Sequence, residues 1–330
     1  MSASTFRASR PTPGTPRTVG AAAPTDTGVF HYPSLTTTVP KEFVHRASVA
    51  QVMLTDWDRV DDSHFTAAAQ WPRGHSFFTE VDGCHDPLIA GETIRQAGAL
   101  LAHAEFGVPL GHHFLMWDLA IRVQPAHLRV DSAPASLEMD IACHDIKWRR
   151  AGLAGFRYDV VIRRDGNTAA TGSARFTCVS PQIYERLRGG RHNSARPALP
   201  LTAPTAPQNV GRVSPMDVVL TPIGETRSWQ LRVDTRHPVL FDHPVDHVPG
   251  MMLLEAARQA ATAALGRPAV LLGATGEFKR YTELDLPCLI EACPLPGTGT
   301  DAVQSVLVNG HQDGRLTFCS TLTVAASPTA

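Results

Sequence analysis

Charged side chains set into an apolar helix are the residues with the most chemical promise in this chain. In FDHPVDHVPGMMLLEAARQAATAALG (241–266), Glu255, Arg258 and Gln259 interrupt a run of Met, Leu and Ala. Burying a charge is costly unless it is paired. Glu255 and Arg258 are three residues apart, so they share a helix face and can pair. The couple reads either as a structural ion pair or as a catalytic carboxylate with its partner. Pro249 and Gly250 mark the helix entry. The N–H groups of Gly250 and Met251 then lie at a helix N-terminus, a place that holds an anion. His243 and His247 stand in the polar loop just before it. They are candidates for proton transfer, or else bond to Asp242 and Asp246. A metal site is not expected, because Pro244 prevents a helical i,i+4 pair and no further ligand cluster completes one.

The pattern occurs twice. In PLIAGETIRQAGALLAHAEF (87–106), Glu92, Arg95 and Gln96 repeat Glu255, Arg258 and Gln259 at one constant offset. Upstream, VHRASVAQVMLT (44–55) matches VGRVSPMDVVLT (210–221), sharing Val, Arg, Ser, Val, Leu and Thr in register. Downstream, 158–179 and 303–324 both read as strand, Gly turn, strand. The chain is an internal duplication, and repeats are found before the fold is assigned.

Each half therefore reads strand, strand, helix, then three or four strands. Strands are expected at 44–54, 65–71, 114–123, 136–143, 156–163 and 170–178. One Ala-rich helix followed by an antiparallel sheet that can wrap it is an α+β arrangement. A double hotdog fold, two tandem duplicated hotdog domains forming a pseudo-dimer, answers that description. The expected organisation is a disordered tail over 1–41, hotdog domains over 42–180 and 209–330, and a Pro/Arg-rich linker over 181–208 with a solvated Arg face. Phe114, Met116 and Trp117 are expected in the core, and GTGT at 297–300 in a loop.

Length and composition bound the rest. At 330 residues two domains are the default. A net charge of −1 gives no nucleic-acid surface. No apolar run approaches a membrane span, and the Ser-, Pro- and Arg-rich start lacks the apolar stretch of a secretory signal. The six scattered cysteines read as buried thiols of a reduced compartment, implying a cytoplasmic protein.

The stretches FVHRASVAQVMLTDW, HDPLIAGETIRQAGALLAHAEFGVPLGHHFLMWDL and FDHPVDHVPGMMLLEAARQA resemble the A-factor biosynthesis hotdog family, the γ-butyrolactone synthase type, from 44 to 324. The third also resembles the dehydratase helix of fatty-acid synthesis. The resemblance implies an acyltransferase that moves a β-ketoacyl group from an acyl-carrier-protein thioester to a hydroxyl of dihydroxyacetone phosphate. No cofactor is implied, and a homo-oligomer is compatible. Under that reading Glu255 is the general base, with burial raising its pKa and Arg258 pulling it down. Glu92, Arg258 and His243 join it as catalytic candidates. Gly250 and Met251 hold the oxyanion, while Arg95, Gln259 and His247 contact substrate. Arginine's planar five-donor head suits a phosphate, and the Pro-Gly entry favours Arg258 for that clamp. Gly91, before Glu92, departs from the family's larger residue and is expected to loosen the first helix. The competing functions are a hotdog dehydratase or thioesterase, and a non-catalytic ligand-binding regulator.

Overall fold

A computed structural model describes residues 36–150, 152–191, 199–296 and 303–326, and the features below lie in the compact unit Thr37–Ala330. The first half comprises β1 (Leu54–Arg59), β2 (His64–Trp71), α1 (Leu88–Ala104), β3 (His113–Val123), β4 (Ala135–Arg149), β5 (Gly152–Arg164) and β6 (Asn167–Val179). The second repeats it with β7 (Leu220–Pro222), β8 (Ser228–Leu231), α3 (Gly250–Leu265), β9 (Ala269–Phe278), β10 (Leu289–Pro294), β11 (Val303–Gln312) and β12 (Arg315–Ala326). A short α2 (Pro181–Arg188) links them, capped by the Ser180 hydroxyl.

All pairings are antiparallel, and the sheet runs β1-β2-β4-β5-β6-β3-β9-β12-β11-β10-β8-β7. Read outward from the centre, the two six-stranded halves have the same order. They join at β3–β9, in register from Asp118 opposite Glu277 to Arg122 opposite Gly273. Like charges meet there, offset by Arg175 on Asp118 at 2.9 Å and Lys279 on Glu277. The strands follow their alternation. On β4, Ala135, Leu137, Met139, Ile141 and Cys143 are buried, with Ser136, Glu138 and Asp140 outward between them. Each helix lies against its own half-sheet. On α1, Gly98 admits the Tyr158 side chain, whose ring a Cβ would meet at 2.5 Å, and the Tyr158 hydroxyl donates to the Ile94 carbonyl at 2.9 Å. Gly91 does not loosen α1. The helix runs unbroken through it, and a Cβ there would make ordinary contacts with Ile121, Leu119 and Met251 from 3.6 Å.

Four expectations change. The stretch 44–54 is not a strand: short 3-10 turns occupy Lys41–Val44 and Val49–Gln51. Those turns aim Arg46 and several backbone groups at α1, which a strand would spend on a sheet ladder. The linker's Arg face is not fully solvated. Arg188 is buried, bonding Asp246 at 3.0 Å and Glu283 at 2.7 Å. The end of the expected tail is docked, with Val39 buried and its N–H donating to the Leu54 carbonyl at 3.0 Å. The tail up to 35, linker residues 192–198 and GTGT at 297–300 lie outside the described residues. Cys293 is exposed, unlike the buried thiol expected there.

Candidate active site

Each half builds the same polar cluster under its helix. In the first, Glu92 Oε1 accepts from Arg46 Nε at 3.0 Å, Arg95 Nη2 at 2.7 Å and Gln96 Nε2 at 2.7 Å. Its Oε2 meets Arg46 Nη2 at 2.6 Å and Arg95 Nε at 2.9 Å. In the second, Glu255 takes Arg212 Nε at 2.8 Å, Arg258 Nη2 at 2.6 Å, Arg258 Nε at 2.9 Å and Gln259 Nε2. The glutamines finish each cluster. Gln96 clasps the Met53 N–H and Gln51 carbonyl, and Gln259 clasps the Val219 N–H and Asp217 carbonyl. Each upstream arginine also ties its half to the other. Arg46 Nη1 donates to the Val239 carbonyl at 3.3 Å, and Arg212 Nη1 to that of Phe77 at 2.7 Å.

This geometry settles the balance of effects on the glutamates. Burial pushes the Glu255 carboxyl up, but the Arg212 and Arg258 guanidiniums outweigh it and leave the group at about 2. Burial raises Glu92 too, and Arg46 and Arg95 bring it down to about 2. Both are held as carboxylates at neutral pH, with their oxygens engaged. Their oxygens already accept from guanidinium and amide groups, so neither carboxylate is free to take a substrate proton. The geometry speaks against Glu255 as general base: it is fully buried and its oxygens are taken by Arg212, Arg258 and Gln259. It speaks against Gln259 as a substrate contact as well, since Gln259 is fully buried and its amide is spent on the backbone and Glu255. Sequence reasoning missed Arg46 and Arg212, although both are the shared Arg of the VHR and VGR stretches.

A cavity of about 680 Å³ opens between the halves. The first half gives it His45, Arg95, Phe114 and Met116; the second gives Gly250, Met251, His243, His247 and Tyr281. Phe114 and Met116 pack against the core, as expected, and wall the cavity as well, whereas Trp117 lines the cavity and is 43% exposed where a core position was expected. Among the described residues, the N–H groups of Gly250 and Met251 have no partner. Gly250 lies tight on Phe278, whose ring a Cβ would meet at 3.1 Å. Arg95 spends Nε and Nη2 on Glu92 and leaves Nη1 without a partner among the described residues. The α3 entry and Arg95 of the other half thus line one cavity, and Arg258, with Glu255 and Gln259, is not among its lining residues. His243 is 3.4 Å from Asp242. His247 Nδ1 is 2.7 Å from Asp246, which also accepts from the Tyr184 hydroxyl at 2.7 Å.

The A-factor biosynthesis hotdog domain matches this chain over residues 30–180 and 194–327. The chain belongs to the A-factor biosynthesis hotdog family. A Streptomyces virginiae protein named 2-oxo-3-(phosphooxy)propyl 3-oxoalkanoate synthase is 54% identical over 285 residues, covering 86% of this chain and 96% of that one. A protein of the same name from Streptomyces coelicolor is 44% identical over 289 residues, covering 86% and 90%. Among solved structures, the 12:0-ACP thioesterase from Umbellularia californica matches with a TM-score of 0.50 at 10% identity, over 79% of this chain and 94% of that one. That likeness speaks for the double hotdog fold alone.

The family's duplicated clusters are not equivalent in this chain. In the register of the Glu-Arg-Gln triple, Pro249 before α3 corresponds to Asp86 before α1. The Asp86 carboxylate is buried, accepts from the Leu88 N–H at 2.9 Å and lies 3.5 Å from Arg212 Nη1. This internal carboxyl, whose pKa burial raises against the pull of Arg212, thus fills the α1 entry beside the second cluster. Pro249 leaves the α3 entry open toward the first.

Proposed function

We propose that this chain esterifies a hydroxyl of dihydroxyacetone phosphate with a β-ketoacyl group taken from an acyl-carrier-protein thioester. The relatives' name describes such an ester of a 3-oxo acid. The observation that carries the reading for this chain is the composite cavity. It brings unpartnered N–H groups at the α3 entry together with a free guanidinium edge on Arg95. The Gly250 and Met251 N–H groups hold the thioester oxygen as it gains charge. Arg95, braced by Glu92 and Arg46, binds the phosphate with its open Nη1. Phe114, Met116, Leu253 and Leu254 offer the acyl chain apolar wall. Lys279 and Arg280 add positive charge to the same lining, suited to an acidic carrier. His243 and His247 contact the substrates from the loop before α3. The volume suits a small substrate and an acyl chain together. No described helix is long and apolar enough to cross a membrane, and the proposed substrates set the enzyme in the cytoplasm.

The test is mass spectrometry of the pure protein with a β-ketoacyl thioester and dihydroxyacetone phosphate. The ester and free thiol are expected together. Thiol released equally fast without dihydroxyacetone phosphate would mean a thioesterase, and loss of water from a 3-hydroxyacyl thioester a dehydratase.

A further inference from the structure

With both glutamates spent as arginine anchors, and His243 and His247 each turning Nδ1 to an aspartate, the esterification reading on which this inference rests needs a base with an open lone pair. The geometry points to His45 as that base, with His103 as the residue that positions it. His45 lines the cavity and packs on Phe114 with ring centroids 4.6 Å apart. Its Nε2 lies 2.7 Å from His103 Nε2, and His103 Nδ1 lies 2.7 Å from the Val108 carbonyl. A carbonyl can only accept, so His103 carries its proton on Nδ1 and presents a lone pair at Nε2. His45 must then donate from Nε2, which leaves its own Nδ1 as a bare lone pair. That Nδ1 has no partner among the described residues. A backbone carbonyl thereby fixes the tautomer of a cavity histidine through a second ring, as an orienting group fixes a catalytic imidazole.

The duplication gives independent support. His45 corresponds to Gly211, and His103 to Gly266. The repeat keeps Glu, both Arg and Gln in each half, but has the histidine pair only in the half that faces the open α3 entry. His45 also sits at φ 54° and ψ 54°, a left-handed conformation that its counterpart Gly211 meets at φ 68°. A non-glycine residue there carries backbone strain, and strain of this kind gathers at functional sites.

The step balances. The substrate hydroxyl oxygen bonds to the thioester carbon, and its proton passes to His45 Nδ1. The C–S bond then breaks, and the imidazolium returns the proton to the leaving thiolate. Burial and four facing groups hold His45 down at about 3: Arg95 and His103 on α1, His243 in the loop and His113 on β3. A phosphate anion against Arg95 offsets the first of these charges, so the base strengthens when its substrate arrives.

Two measurements test the assignment. Long-range nitrogen–proton NMR of the wild-type protein at neutral pH should show the proton of His45 on Nε2, and in His103→Asn the tautomer should shift toward Nδ1–H. A purely structural His103 would leave it unchanged. A wild-type proton on Nδ1 overturns the assignment. Second, His45→Gln keeps a donor for His103 but removes the base. With a β-ketoacyl thioester and dihydroxyacetone phosphate, kcat should fall by about 10²–10⁴-fold, while melting and inorganic phosphate affinity stay near wild type. A folded His45→Gln with kcat within about threefold of wild type overturns the base role alone. A wild type that releases no thiol in response to dihydroxyacetone phosphate overturns the esterification reading and, with it, the base.

Discussion

Replacing Arg95 by lysine separates a phosphate clamp from a mere counter-ion. Arg95 holds Glu92 with Nε at 2.9 Å and Nη2 at 2.7 Å, and Nη2 also reaches the Val44 carbonyl at 2.9 Å. That bidentate grip fixes the guanidinium plane and leaves Nη1 unspent on a residue that lines the cavity. A lysine ammonium is a point charge with no second edge, so it satisfies Glu92 or the substrate but not both in one geometry. A lost charge-assisted hydrogen bond is worth about 1.5–3 kcal/mol, or roughly 10- to 150-fold. The assay compares kcat/KM for dihydroxyacetone phosphate and unphosphorylated dihydroxyacetone with the same β-ketoacyl thioester. Arg95→Lys should shrink the preference for the phosphorylated substrate by that factor and change the unphosphorylated rate little. Arg258→Lys should leave the preference intact, because Arg258 is not among the residues lining the cavity. The reasoning fails if Arg258→Lys erodes the preference and Arg95→Lys does not, or if Arg95→Lys slows both substrates equally.

Further outcomes follow from the clusters. Glu255→Gln leaves Arg258 without its carboxylate and Arg212 with only Asp86 at 3.5 Å, so urea unfolding should show a loss of about 3–5 kcal/mol; wild-type stability with lost activity would restore a catalytic role. Both glutamates titrate lower in the folded chain, at about 2 against a reference of 4.5. Their contribution is complete above the unfolded value and is lost as pH falls from about 4.5 toward 2, so acid unfolding should be steepest in that window; Glu92→Gln should flatten the pH dependence there. Asp86→Ala removes the cap on the Leu88 N–H and should cost about 0.5–2 kcal/mol in thermal unfolding, with ester formation unchanged. A large loss of ester formation in folded Asp86→Ala would show that the second cluster takes part in the reaction.

The double hotdog was legible because its evidence was periodic. The Glu-Arg-Gln triple fixed the helices in register, and alternation fixed strands such as β4. The stretch before β1 was misread for a definite reason. VHRASVAQVML has strand-like composition, yet its polar backbone is taken up by Gln96 and its Arg46 by Glu92. Those are long-range contacts that local pattern does not contain. The clamp was placed on Arg258 because it shares a helix with Gly250. In a pseudo-dimer the cavity is completed across the halves, so the entry of α3 and the arginine of α1 line it together. Neighbours in sequence were separated, and Arg95 and Gly250, far apart in sequence, share one cavity.

Duplication also separates architecture from chemistry. What both halves retain is the glutamate with its two arginines and glutamine, and in both it bolts a helix to the chain before the first strand. What they do not share is Asp86 against Pro249, His45 against Gly211 and His103 against Gly266. All three differences act in one direction. An internal carboxylate occupies the entry of α1, while the entry of α3 is left open beside a free arginine edge and a histidine whose lone pair is fixed in place. A duplicated fold that needed two sites would keep such features in both halves. Confining them to one pairing leaves the other cluster free to serve stability, where a carboxylate held near pKa 2 between two arginines is an asset and a reactive group would be a burden.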